Sequence, residues 1–263
     1  MLTEDSWTQL RELTAARIAL GRAGHSLPTR ELLAFQLAHA KARDAVWCAL
    51  DVTALSPLGP VLLLHSAARD RLEYLRRPDL GRRLATECLD RMERGDWDAV
   101  IVIADGLSAT AVHRHAGVLI DTLLPLLSAR ANRTSTPHAE EAAPEGPELD
   151  GWRIAPICVV EQGRVAIGDE IGERMGAALA LVIVGERPGL SSPDSLGAYL
   201  TWSPRVGRTD AERNCVSNIR TGGLDPEIAA VRIAQLMQAA RQQQLTGVHF
   251  ASPVATGRVL SDR

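Results

Sequence analysis

The chain has 263 residues, 46% hydrophobic and 23% charged, enough apolar material for one large domain or two small ones. Its formal net charge of -3 at neutral pH creates no basic field for nucleic acid or an acidic membrane surface, so neither is expected as a partner. No apolar stretch approaches about 20 residues, which leaves no candidate membrane span.

The amino-terminal stretch MLTEDSWTQLRELTAARIAL is acidic ahead of its apolar residues and lacks the positive start and small-residue cleavage site of a secretory signal. Cys48, Cys88, Cys158 and Cys215 show no CxxC or CxxH spacing. They read as reduced thiols of a cytoplasmic protein, not as a disulfide frame or a zinc site. Of the 29 Lys and Arg residues only Lys41 is a lysine, and the arginines offer many planar forks for carboxylate or amide oxygens.

The first hundred residues read as mostly helical. Ser6 is placed to cap a helix carrying Leu10, Leu13, Ile18 and Leu20, which GRAGHSLP ends with two glycines before Pro28 opens another. That second helix, TRELLAFQLAHAKARDAV, puts Leu32, Leu33, Phe35, Ala40 and Val46 on a broad apolar stripe. A turn at SPLGP, residues 56–60, separates it from VLLLHSAARDRLEYL.

The pattern changes near residue 98. Ala99 to Ala104 is a continuous apolar strand, followed by the turn DGLSA and the long amphipathic segment TAVHRHAGVLIDTLLPLL. Ala178 to Val184 repeats the theme as seven apolar positions without alternation, the signature of a strand buried on both faces of a parallel sheet. Two such units favour an α/β fold with right-handed crossovers. Further strands are expected at Ile154 to Val160 and Ala198 to Trp202, and a last helix at Pro226 to Gln244. Residues 131–151, ANRTSTPHAEEAAPEGPELDG, are polar and Pro-rich and read as an exposed insertion.

Several chemistries have no motif here. GxGxxG, a Walker A loop and the GxSxG elbow are all missing from the sequence. The triplet His113-Arg114-His115 offers imidazoles, but positions i and i+2 of a helix diverge, and a solvated helix face is the favoured reading over a metal site. Ser108 stands near His113 as a candidate nucleophile, with capping of the following helix the plainer reading. YLRRPDLGRRL, residues 74–84, carries four arginines around a turn that suit either a ligand or solvent. In VIVGERPGL, Gly185 and Glu186 fall at the carboxyl end of a buried strand, where open α/β sheets bind ligands. On the motif alone, Glu186 as a helix cap or a partner of Arg187 is the favoured alternative.

Taken together, the segments TAARIALGRAG, LPTRELLAFQLAHAKARDAV, YLRRPDLGRRL, VIVIADGLSATAV, GRVAIGDEIGE, VGERPGL, YLTWSPRV and ERNCVSNIRTGG resemble, in this order and over most of the chain, the small (light) subunit of ethanolamine ammonia-lyase. The resemblance implies a helical amino-terminal region over residues 1–95 that contacts a large subunit. It also implies a Rossmann-like, mostly parallel sheet domain over residues 96–263. It further implies conversion of ethanolamine to acetaldehyde and ammonia by adenosylcobalamin radical chemistry, with ethanolamine bound mainly by the large TIM-barrel subunit and this chain inactive alone. A stand-alone cobalamin or nucleotide binding module is the alternative.

Carried over position by position, the family's cobalamin contacts fall on Val165, Glu186 and Cys215, with no catalytic residue and no metal ligand in this chain. Val165 would press an apolar side chain on the cofactor, Glu186 would accept hydrogen bonds from amides or ribose hydroxyls, and Cys215 would pack or form a weak hydrogen bond. The chain lacks the DxHxxG of cobalamin modules that replace the lower axial base, in keeping with a base-on cofactor. Two departures stand out: the shared pattern begins within about twenty residues of Met1, which speaks against the microcompartment targeting of longer relatives, and the insertion at residues 131–151 is longer and more polar than the family pattern.

Overall fold

The computed structural model describes residues 2–3, 5, 7–14, 16–58, 61–128 and 151–251. Strands β1 (Leu2–Thr3) and β2 (Arg22–Ala23) form a small antiparallel pair. Among the described residues between them, the helical segment is a short 3-10 turn, Thr8–Glu12. The expected amino-terminal helix therefore does not extend to Ile18 and Leu20, and Ser6 lies outside the described residues. Thr14, Ala16 and the left-handed Ala19 interrupt it: Thr14 Oγ1 accepts from the Ala16 N–H and Ala19 has φ 51°.

Helix α1 (Thr29–Trp47) runs for 19 residues from Pro28, whose φ of -56° and ψ of 139° set the entry. Its apolar stripe is present but not covered, since Leu32, Leu33, Phe35 and Leu37 are exposed and Ala45 is its buried residue. Residues 56–58 of the expected turn belong to a 3-10 segment, Val52–Leu58, and the remaining two lie outside the described residues. Strand β3 (Leu62–His65) and helix α2 (Arg71–Arg76) follow, the helix capped by Asp70, which accepts from the Glu73 N–H at 2.8 Å.

The core is a six-stranded sheet in the order β3-β5-β4-β6-β7-β8. Strands β4 (Trp97–Ala104), β5 (Cys158–Glu161) and β6 (Ala177–Gly185) join β3 in parallel, and β7 (Leu196–Trp202) and β8 (Arg213–Ile219) add an antiparallel flank. The fold is α/β, as expected. Helices α3 (Ala109–Ala111) and α4 (Gly117–Ser128) are joined by a π turn, Val112–Ala116. Helix α5 (Ile167–Met175) connects β5 to β6, and α6 (Pro226–Gln243) closes the described chain.

The two apolar strands are continuous because each face is covered. Ile101, Ile103, Leu181 and Ile183 pack toward Leu119, Leu123, Ile233 and Met237 of α4 and α6. Val100, Val102, Ala180 and Val182 pack toward Ile167, Ile171 and Met175 of α5. Glycines let α5 lie close: a Cβ on Gly168 would meet Val182 Cγ2 at 2.2 Å, and one on Gly172 would meet Pro204 Cγ at 2.5 Å. Two ion pairs pin the same helix: Asp169 takes a bidentate grip from Arg213 at 2.6 and 2.7 Å, and Glu170 pairs with Arg83. Much of the GRVAIGDEIGE motif thus serves to seat α5.

Candidate functional site

The parallel strands β4, β5 and β6 end in three turns that interlock. The Leu107 N–H donates to Gly185 O at 2.9 Å, so the DGLS turn crosses the end of β6. A Cβ on Gly106, whose φ is 55°, would meet Gly185 O at 2.2 Å, and one on Gly185 would meet Ser108 O at 2.2 Å. Only glycine permits that backbone approach on both sides.

Ser108 is fully buried, its hydroxyl donating to Pro193 O at 2.8 Å and accepting from the Ala111 N–H at 3.3 Å. It is a helix cap, the plainer of its two readings, and has no exposed face for nucleophilic attack. The histidine triplet departs from the expected solvated face. It forms the π turn, with His113 Nε2 accepting from the Asp51 N–H at 2.8 Å and His115 buried 3.6 Å from Asp194. Among the described residues no cluster of His, Cys, Asp or Glu is arranged to hold a metal ion, and no helix is long and apolar enough to cross a membrane.

Asp105 sits buried at the junction of the turns. Its Oδ1 accepts from the Gly163 N–H at 3.2 Å, and Arg71 Nη1 lies 3.5 Å from Oδ2. Burial pushes the Asp105 carboxyl up to about 6 despite the Arg71 guanidinium beside it. Arg71 also donates to Gly106 O and to Val46 O near the end of α1. Arg71 and Arg164 both stack on the buried Tyr74 ring, at 4.8 and 4.5 Å, and Tyr74 donates to Gly163 O. The YLRRPDLGRRL segment thus latches the loop that carries Val165. Two of its four arginines are engaged in ion pairs within the chain, Arg77 with Asp79 and Arg83 with Glu170.

Val165, Glu186 and Cys215 come from three separate segments. Val165 is half-buried just before α5 and packs on the same apolar core as Tyr199 of β7. Glu186 is half-buried and follows Gly185 directly. Its Oε2 accepts from Ser195 Oγ at 2.5 Å and from the Asn218 N–H at 3.4 Å. It neither caps a helix nor pairs with Arg187. Cys215 is exposed on β8, directly opposite Tyr199 in the ladder, and the two side chains interact.

Tyr199 is the residue that links Glu186 to Cys215. Burial first, then Cys215 and Glu186, hold its phenol well above the ordinary range. The Cys215 thiol is likewise raised, by desolvation and by the Glu186 charge, so it stays protonated at neutral pH. Gly197 lets Glu186 and Tyr199 pack close: a Cβ there would meet both Glu186 Oε1 and Tyr199 Cε2 at 2.9 Å. Motif reading missed Ser195, Gly197 and Tyr199. The strand expected at Ala198 to Trp202 contains Tyr199, but nothing local marks which face it takes. A separate open cleft of about 650 Å3 lies between α1 and the loop at Leu190–Asp194, and none of Val165, Glu186 or Cys215 lines it.

Residues 4–251 match the family model described as ethanolamine ammonia-lyase light chain (EutC). The chain is 51% identical to the ethanolamine ammonia-lyase small subunit of Azotobacter vinelandii, over 98% of this chain and 92% of that one. It is 51% identical to that of Ralstonia nicotianae, over 94% and 88%, and 47% identical to that of Pseudomonas fluorescens SBW25, over 99% and 91%. Matches of this extent leave no segment of the core unaccounted for, and the chain belongs to the ethanolamine ammonia-lyase small (light) subunit family.

Proposed function

We propose that this chain covers an adenosylcobalamin held between it and a large catalytic subunit, in an enzyme that converts ethanolamine to acetaldehyde and ammonia. The observation that carries the reading is the grouping of Glu186 and Tyr199 over the bare Cα of Gly197, with Cys215 opposite Tyr199, on the same side of the sheet as Val165. That surface suits a large amide-rimmed cofactor. It offers a carboxylate oxygen, a phenol edge, a protonated thiol and an apolar side chain.

When bound, adenosylcobalamin supplies the radical that starts the reaction. The residues of this chain would bind and screen: Glu186 would accept from the cofactor's amide or hydroxyl donors, Val165 and Tyr199 would exclude water beside it, and the neutral Cys215 would pack without ligating metal. The lack of a DxHxxG motif in the sequence supports a base-on cofactor in this reading. Residues 1–95 hold the large subunit and residues 96–263 the cofactor. The uncovered leucines of α1 support the first half of that division.

The test is to purify the chain with and without a co-expressed large subunit, add adenosylcobalamin and ethanolamine in dim light, and follow cobalamin absorbance with acetaldehyde release. Turnover is expected only in the co-expressed sample. Cobalamin binding by the lone chain, with product from neither, would instead establish a stand-alone binding module. In the complex, Glu186→Gln is expected to weaken adenosylcobalamin binding by about tenfold, the loss of one charge-assisted hydrogen bond.

A further inference from the structure

Glu186 has two carboxylate oxygens in different situations. Oε2 is held by the buried Ser195 hydroxyl at 2.5 Å and by the Asn218 N–H at 3.4 Å. Among the described residues no donor reaches Oε1, which instead projects over Gly197, where an added Cβ would come within 2.9 Å of it and of Tyr199 Cε2. Ser195 is fixed in turn, because its carbonyl accepts from the Glu186 N–H at 2.9 Å, one step beyond the last β6–β7 pair. The carboxylate is therefore fixed through Oε2, while Oε1 rests against Gly197 with no donor from the described residues.

We infer that Ser195 and Gly197 are positioning residues for the cofactor: Ser195 clamps one oxygen of Glu186, and Gly197, by lacking a Cβ, makes room for the other beside Tyr199, so that the carboxylate is held in one orientation for the ligand. This rests on the cobalamin reading above. A clamped acceptor loses less orientational freedom on binding, so removing the clamp weakens binding without touching the groups that react. The same geometry makes the effect of Ser195 conditional on Glu186. Once the carboxylate is neutralised, the clamp has no charge to aim.

The experiment is a double-mutant cycle on the co-expressed complex, reading adenosylcobalamin affinity by absorbance titration and, separately, kcat at saturating cofactor. Ser195→Ala is expected to weaken binding about tenfold with kcat nearly unchanged, and Ser195→Ala in the Glu186→Gln background is expected to add less than about twofold. Ser195→Thr, which keeps the hydroxyl, is expected to restore most of the affinity. Gly197→Ala, which leaves the serine in place, is expected to weaken binding at least as much as Ser195→Ala, and it carries the test alone if Ser195→Ala fails to assemble. Losses from Ser195→Ala that simply add to those of Glu186→Gln, or a Gly197→Ala complex with unchanged affinity, would overturn the inference while leaving cobalamin binding intact. Wild-type complex that binds no cobalamin would overturn the functional reading itself.

Discussion

Asp105 shows how a single buried carboxyl leaves its mark on the pH dependence of the whole fold. Its value is pushed from 3.8 to about 6 by burial, so the folded chain holds this proton more tightly than the unfolded one. Stability from this group is therefore greatest below about pH 4, falls as pH rises toward 6, and is flat above. Asp105→Asn keeps an oxygen for the Gly163 N–H and removes the charge. Its urea midpoint is expected to match wild type near pH 4 and to exceed it above pH 7 by about 1 to 3 kcal/mol of stability. Equal midpoints at pH 7.5 would show that Arg71 fully compensates the charge. At this scale the sequence was partly legible. Gly185 and Glu186 announced themselves because a glycine and a lone carboxylate follow an unbroken apolar run. Ser195 and Tyr199 did not, because their roles come from a strand pairing between residues 177–185 and 196–202 that no local pattern encodes.

Helix α5 carries the densest set of structural obligations among the elements. Arg213→Ala would strand the Asp169 carboxylate in a site where both side chains are about 2% exposed. Breaking such a pair by removing one partner costs about 3 to 5 kcal/mol, and a large fall in the denaturation midpoint is the expected result. Gly168→Ala would force a methyl into Val182, with an expected cost of about 1 to 3 kcal/mol from overpacking. A midpoint unchanged by either substitution would contradict the packing described for this helix. Strands β4 and β6 were readable as unbroken apolar runs, and helices α1 and α6 as long segments opened by proline. Strand β8, RNCVSNI, escaped notice because it lies at the sheet edge and most of its outward residues are polar. The amino-terminal segment misled for the opposite reason: helix-like leucine spacing over residues 10–20 is overruled by Thr14 and Ala19, and no core waits there to stabilise a helix.

For the molecule as a whole, the informative fact is how much of α1 remains uncovered. Leu33 and Leu37 are each 57% exposed, which is unusual for a pair on one helix of a chain with so complete a core elsewhere. Under the proposed function this face belongs to the large subunit. Replacing Leu33 and Leu37 together by serine is expected to abolish co-purification with the large subunit while moving the lone chain's thermal midpoint by no more than a few degrees. A double variant that still co-purifies fully would relocate the interface away from α1.

One lysine in a chain so rich in arginine has a practical meaning. Lys41 is exposed on α1 and lines the open cleft beside Leu190–Asp194. An amine-reactive dye at mildly alkaline pH would therefore tag one side chain, together with the α-amino group, and no other. That makes α1 its own reporter: the rate at which Lys41 is labelled, free and in the presence of a neighbouring chain, reads out the footprint of that neighbour without any engineered label.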